Sequence, residues 1–113
     1  MITLWHNPRC SKSRQTLALI EETGTEVRIR RYLEDAPSAD EIAAAQQALG
    51  LPLIDMVRTG EKAFKEAGLS KTSNDGTLLA AMVAHPILIE RPIAFKGRKA
   101  VIGRPPEAVL DLL

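Results

Sequence analysis

Two short strand-like segments separated by a helical one occupy the first thirty residues, and this order limits the fold more than any other feature. Residues 2–5 are rich in strand-forming side chains and precede an Asn-Pro turn signal. Residues 11–23 predict a helix that ends at Gly24, and residues 27–30 alternate apolar and charged side chains as a half-exposed strand does. The opening is therefore a β–α–β unit, for which we expect parallel strands and a right-handed crossover.

The middle of the chain is predicted to be helical. Ser38 and Glu41 have the spacing of a capping box, which predicts a helix through Leu49 that ends at Gly50. Three shorter helical segments follow, at residues 54–58, 61–67 and 78–84, the last preceded by an Asn-Asp pair that can cap it. Residues 38–85 are thus expected to form a helical insertion.

The last third returns to strands. Residues 92–95 and 99–102 flank a turn that contains Gly97, which is the pattern of a β-hairpin. A final helix is predicted to follow, with Pro105 or Pro106 in its first turn. The order of elements is therefore β–α–β, a helical insertion, then β–β–α.

This order predicts an α/β or α+β protein, and the positions of Cys10 and Pro92 favour a thioredoxin-like fold within the α/β class. Cys10 lies between the first strand and the first helix, and Pro92 precedes the first strand of the second half. We expect a mixed four-stranded sheet with flanking helices and an inserted helical subdomain, in a single domain over residues 1–113. Thioredoxin-like folds place a cis-proline beside the cysteine, so a cis Arg91–Pro92 bond is a hypothesis.

Composition excludes several classes of function. One cysteine in 113 residues allows no intramolecular disulfide and no multi-cysteine metal site. A formal net charge of +1 argues against a general nucleic-acid or membrane-surface binder, and no apolar run approaches the ~20 residues of a membrane span. No signal peptide is visible, so we expect a cytoplasmic protein with a free thiol.

Cys10 is the strongest candidate for chemistry. It is predicted to lie at a helix N-terminus, where backbone N–H groups and the helix dipole stabilise a thiolate. Arg9, Lys12 and Arg14 surround it in sequence, and no acidic residue occurs before Glu21. A lone cysteine is usually buried and inert inside an apolar element, but this one lies in a polar segment. We therefore favour a reactive thiol.

Ser13 and His6 are the candidate supporting residues. Ser13 stands where a Cys-x-x-Cys oxidoreductase has its second cysteine, so a mixed disulfide at Cys10 would need an external thiol to resolve it. Its hydroxyl could donate to the thiolate, or it could be an ordinary serine of the first helical turn. His6 could tune the ionisation of the thiol. A metal site formed by the two histidines and Cys10 fits no standard spacing, so we predict no metal.

Three arginines, Arg58, Arg91 and Arg104, are predicted to lie at the ends of elements. Arginines that converge on one point hold a tetrahedral oxyanion through charge-assisted hydrogen bonds. The spacing of these three arginines in the sequence does not indicate that they converge, and by itself it favours ordinary surface positions.

The segment His6-Asn-Pro-Arg-Cys-Ser-Lys-Ser-Arg14 resembles the glutaredoxin-linked arsenate reductase family, and the likeness extends over nearly the whole chain. It includes His85-Pro-Ile-Leu-Ile-Glu-Arg-Pro-Ile93 and Gly103-Arg-Pro-Pro-Glu107. The sequence around Cys10 is similar to that of a short, arsenate-reductase-like branch of the family. The His6–Arg14 segment and the Arg-Pro-Ile segment are specific for this family when they occur together in this order.

The resemblance implies a thioredoxin-like fold and the reduction of arsenate to arsenite. The family's catalytic cysteine corresponds to Cys10, and its oxyanion-holding arginines correspond to Arg58, Arg91 and Arg104. The Cys10 thiolate would attack arsenic, glutathione as co-substrate would form a mixed product, and glutaredoxin would regenerate the thiol. His6 would lie close to the thiolate and help to lower its pKa. No tightly bound cofactor is implied, and Ser13, Arg14 and Pro92 are expected to support the site.

Two other functions are compatible with the same layout. One is another glutathione-linked thiol oxidoreductase that acts on a different oxyanion or on a glutathionylated protein. The other is a non-enzymatic regulator of the Spx type, which shares this fold and binds RNA polymerase. Regulators with a redox switch use Cys-x-x-Cys, and Ser13 in place of the second cysteine counts against that switch.

Overall fold

Four short strands form one mixed sheet in the computed structural model, which describes residues 1–113. The strands are β1 (Ile2–Trp5), β2 (Val27–Arg30), β3 (Ile93–Lys96) and β4 (Lys99–Ile102), and their order in the sheet is β2–β1–β3–β4. β1 pairs in parallel with β2 and antiparallel with β3, and β3 and β4 form the predicted hairpin. The third strand begins one residue later than predicted, because Pro92 has no N–H group to donate to a sheet.

The first helix, α1 (Ser11–Glu22), begins directly after Cys10 and ends as predicted. Gly24 follows it with a φ of +74°, a left-handed conformation that favours glycine. The predicted final helix is a 3-10 helix (Pro106–Leu112). Its turns are closed by i→i+3 bonds, such as the one that Ala108 N–H donates to the Pro105 carbonyl at 3.0 Å.

The sheet, α1 and the C-terminal 3-10 helix share one hydrophobic core. Its fully buried members come from the sheet and from both helices and are Ile2, Leu4, Ile20, Ala94 and Val109. This core belongs to a compact unit formed by residues 1–35 and 91–113. It fixes the β1–α1 connection, where Cys10 lies.

Residues 36–90 form a second compact unit, whose regular structure is helical apart from one β-bridge. It contains α2 (Ala39–Leu49), α3 (Lys62–Glu66), α4 (Asp75–Ala84) and two 3-10 turns (Leu53–Met56 and Pro86–Leu88). The capping box that opens α2 is present as predicted. α4 begins three residues before the predicted start, because the Asn74 side chain caps it by accepting the Thr77 N–H at 2.8 Å. That the whole chain is a single domain stays a prediction.

A short antiparallel contact closes this helical unit. Val57 and Ile89 form a β-bridge, and on either side Arg58 N–H donates to Leu88 and Glu90 N–H to Met56, at 2.8 and 2.7 Å. The backbone around Arg58 is therefore hydrogen-bonded to residues 88–90 of the same unit. None of the helices combines the length and the apolar character that crossing a membrane requires.

Candidate active site

The loop between β1 and α1 is organised by Asn7, which is almost fully buried. Its carbonyl accepts the Cys10 N–H at 3.0 Å, and its side-chain Oδ1 accepts the Arg9 N–H at 3.0 Å. Its own N–H donates to the Ser13 hydroxyl at 3.0 Å. These three bonds place Cys10 at the N-cap of α1. From the sequence, the Asn-Pro pair indicates only a turn, although the tendency of an asparagine side chain to bond to the backbone two residues on could have singled out Asn7.

The Cys10 thiol lies half-buried at the start of α1 and is favoured as a thiolate. Burial acts to raise the pKa of Cys10, but the Ser13 backbone N–H, the Arg91 side chain and the Lys12 backbone N–H act to lower it. The net result is a pKa below the ordinary value of 9.0. The helix N-terminus supplies two of these groups, as expected from the position of Cys10 in the sequence.

Two of the three predicted arginines, Arg91 and Arg104, lie at the thiol. Arg104 Nη2 is 3.6 Å from Cys10 Sγ, and its Nε donates to the Arg91 carbonyl at 2.8 Å. Arg91 donates to the sulfur from its side chain, and its positive charge also favours the thiolate. The Cys10 sulfur and two guanidinium groups thus lie together, although Cys10 and Arg104 are 94 residues apart in the sequence.

Arg58, the third predicted arginine, lies in the helical unit and is bound to carboxylates. Its Nε donates to Glu61 at 3.0 Å, and its Nη1 donates to Glu90 at 3.2 Å. All three side chains are about three-quarters buried. Its role as an oxyanion ligand stays a prediction.

His6 and Ser13 form a buried pair beneath the loop. His6 Nδ1 and Ser13 Oγ are 2.6 Å apart, and Ser13 has no exposed surface. The hydroxyl of Ser13 is directed to His6 and Asn7, while its backbone N–H serves the thiol. Burial, followed by the charges of Arg31 and Arg14, holds the pKa of His6 below its ordinary value of 6.5. The surroundings of His6 therefore favour the neutral imidazole.

The remaining predicted residues, Arg14 and Pro92, frame the loop. Arg14 Nη1 donates to the Pro8 carbonyl at 2.9 Å. The Arg91–Pro92 peptide bond is cis, which confirms that hypothesis, and the Arg104–Pro105 bond is cis as well. Both guanidinium groups at the thiol thus come from residues that precede a cis-proline.

A thiolate beside two guanidinium groups is suited to one kind of chemistry. The sulfur can attack an electrophilic centre, and the arginines can bind oxygen atoms attached to that centre. The chain has no second cysteine, so any sulfur adduct at Cys10 must be released by a thiol from another molecule.

Comparison with known proteins agrees with this chemistry. Residues 5–112 match the model of the ArsC family. The arsenate reductase of Haemophilus influenzae is 41% identical over 114 residues, which cover 99% of this chain and 98% of that protein. The arsenate reductase of Rhizobium meliloti is 42% identical over 113 residues, which cover 99% of this chain and 81% of that one.

A solved structure shows the same architecture. The arsenate reductase from Vibrio cholerae superimposes with a TM-score of 0.95 at 46% identity, over 99% of this chain and 97% of that one. The superposition confirms the predicted α/β, thioredoxin-like fold. The family resemblance found in the sequence is confirmed too: the chain belongs to the ArsC family.

Proposed function

We propose that this protein is an arsenate reductase that uses Cys10 as its single nucleophile. The observation that carries the proposal is the half-buried Cys10 thiol of lowered pKa, with the Arg104 guanidinium 3.6 Å from its sulfur. The names of the H. influenzae, R. meliloti and V. cholerae relatives support arsenate as the oxyanion.

In the first step the Cys10 thiolate attacks arsenic. An S–As bond forms, and one arsenate hydroxyl group takes up a proton from solvent and leaves as water. Arg91 and Arg104 bind the remaining oxygens and offset the charge that develops on them. Arg58 is proposed as a third ligand, on the strength of the family correspondence. Because Glu61 and Glu90 already hold two of its nitrogens, its contribution is expected to be the smallest of the three.

The second step needs thiols from outside the chain. Glutathione attacks the arsenic adduct and forms a second S–As bond, again with the loss of water. The two sulfurs then couple, both S–As bonds break, and arsenic keeps the electron pair, takes up one water and leaves as arsenite. Glutaredoxin reduces the resulting disulfide between Cys10 and glutathione. Since reduced glutathione is maintained in the cytosol, we propose that the protein works there.

The test is to incubate the purified protein with arsenate, glutathione and glutaredoxin and to quantify arsenite. We expect turnover by the wild type, and a loss of at least about a thousandfold in Cys10→Ser, because the serine hydroxyl stays protonated. Omitting glutaredoxin should stop the reaction after about one turnover. A wild-type protein that forms no arsenite would overturn the proposal, and reduction of a glutathionylated peptide instead would favour the alternative thiol oxidoreductase.

A further inference from the structure

Gly103 lies where β4 ends and the Arg104 side chain begins its approach to the thiol. It is buried, and its N–H donates to the Pro92 carbonyl at 2.9 Å. Its φ is not in the left-handed region, so backbone conformation does not require glycine here. Space does. A Cβ at this position would overlap Oγ1 of Thr16 and lie 2.8 Å from Cγ of Pro92.

Thr16 forms the other side of this contact and is the residue of α1 that faces Gly103. It is fully buried, and its hydroxyl donates to the Lys12 carbonyl at 2.8 Å. The same hydroxyl is 3.5 Å from the carbonyl oxygen of Gly103. Thr16 therefore contacts the segment that carries Arg104, and it lies one helix turn after Lys12, whose backbone N–H acts on the thiol.

Arg104 reaches the sulfur only if its backbone stays close to α1. Its guanidinium spans two fixed points, the Arg91 carbonyl at 2.8 Å and Cys10 Sγ at 3.6 Å. N–H···O hydrogen bonds span about 2.7–3.2 Å, so a displacement of about half an ångström takes the Arg104–Arg91 bond out of that range. A methyl group at residue 103 would push the segment away from Thr16 and Pro92 by at least that amount.

We infer that Thr16 and Gly103 are positioning residues for Arg104: their close contact holds the residue 104 backbone where its guanidinium spans the Arg91 carbonyl and the Cys10 thiol. The hydrogen bonds of both residues go to backbone groups of Lys12, Pro92 and each other, and not to the sulfur. The inference rests on the proposed function only in that arsenate is the anion used in one of its two tests.

The first test needs no substrate. The rate of Cys10 alkylation by iodoacetamide is measured against pH in the wild type, Gly103→Ala, Arg104→Ala and the double variant. If Gly103 acts through Arg104, Gly103→Ala raises the midpoint pH in the same direction as Arg104→Ala, and the double variant equals Arg104→Ala. Gly76→Ala is the matched control, because an added Cβ there meets only Asn74 Oδ1 at an ordinary 3.5 Å. Circular dichroism verifies that each variant is folded.

The second test uses arsenate. Gly103→Ala and Arg104→Ala are each expected to raise the KM for arsenate about tenfold, the value of one charge-assisted hydrogen bond, without an additive loss in the double variant. A Thr16→Ala/Gly103→Ala protein should recover part of the loss, because the nearest clashing atoms are gone. A folded Gly103→Ala protein with wild-type midpoint and KM would overturn the inference, as would a loss that multiplies with that of Arg104→Ala.

Thr16→Val covers the case in which Gly103→Ala does not fold. It keeps the shape of the side chain but puts a methyl group where the hydroxyl contacts Gly103. We expect a KM increase of about threefold that is absent in the Arg104→Ala background. Wild-type behaviour of Thr16→Val would then overturn the inference. If the wild type reduces no arsenate, the proposed function fails, and the alkylation midpoints still decide the role of Gly103.

Discussion

Arg104 and Arg58 are the same kind of residue in different surroundings. Arg104, in the sheet-containing unit, donates to a neutral carbonyl and to the Cys10 thiol. Arg58, in the helical unit, donates to the carboxylates of Glu61 and Glu90. A guanidinium bound to two carboxylates has much of its charge offset before an anion arrives, so we expect Arg58 to contribute less to oxyanion binding. From sequence position alone the two arginines are equally good candidates for an oxyanion ligand, but their hydrogen-bond partners distinguish them.

The largest effect that would test this comparison is the loss of Arg104. We expect Arg104→Ala to lower kcat/KM for arsenate about ten- to a hundredfold, because it removes a donor to the oxyanion beside the nucleophile. Steady-state kinetics measure the change. Arg98→Ala, at an exposed arginine of the β3–β4 turn, is the matched control and should behave like the wild type. Equal activity of both variants would remove Arg104 from the site.

Arg58→Ala is expected to affect stability more than catalysis. Its kcat/KM should fall about threefold or less, while the free energy of unfolding falls by about 1–3 kcal/mol, because two largely buried carboxylates lose their partner. Urea denaturation and kinetics on the same preparation separate the two effects. A kinetic loss as large as that of Arg104→Ala, with unchanged stability, would contradict the distinction between the two arginines.

The smallest expected effect concerns the pH dependence of stability through His6. Since the folded-state pKa of His6 lies below 6.5, the unfolded chain binds the proton more readily. Its contribution to stability is complete above pH 6.5 and is lost as the pH falls below that value. His6→Gln should flatten this decline in urea denaturation between pH 7.5 and pH 5.

His85→Gln is the matched control for this measurement, because His85 is exposed at the end of α4. It should retain the decline. An identical decline in His6→Gln would show that other groups cause it.

Much of the fold could be predicted because its signals are local. Gly24 and the Ser38–Glu41 capping box fix helix ends through the residues beside them, and both were predicted correctly. The position of Cys10 at a helix N-terminus follows from the same reasoning. The 3-10 form of the C-terminal helix was not predicted, since periodicity does not separate it from an α-helix over seven residues.

The site was predictable only in part, since its decisive contacts join residues far apart in sequence. Thr16 and Gly103 are 87 residues apart, and no pattern in either segment indicates their contact. Ser13 was correctly placed in the first turn of α1, but sequence could not show that its hydroxyl is directed to His6 and Asn7. Nor could it show that Glu61 and Glu90 bind Arg58, because the Glu90 contact spans 32 residues.

The central claim is that Cys10 is an activated thiol in an oxyanion site. The most direct measurement is the rate of Cys10 alkylation against pH, with and without arsenate. We predict a midpoint below 9.0 in the folded protein, an upward shift in denaturant, and protection of the thiol by arsenate. A midpoint at or above 9.0 that arsenate does not affect would contradict the account.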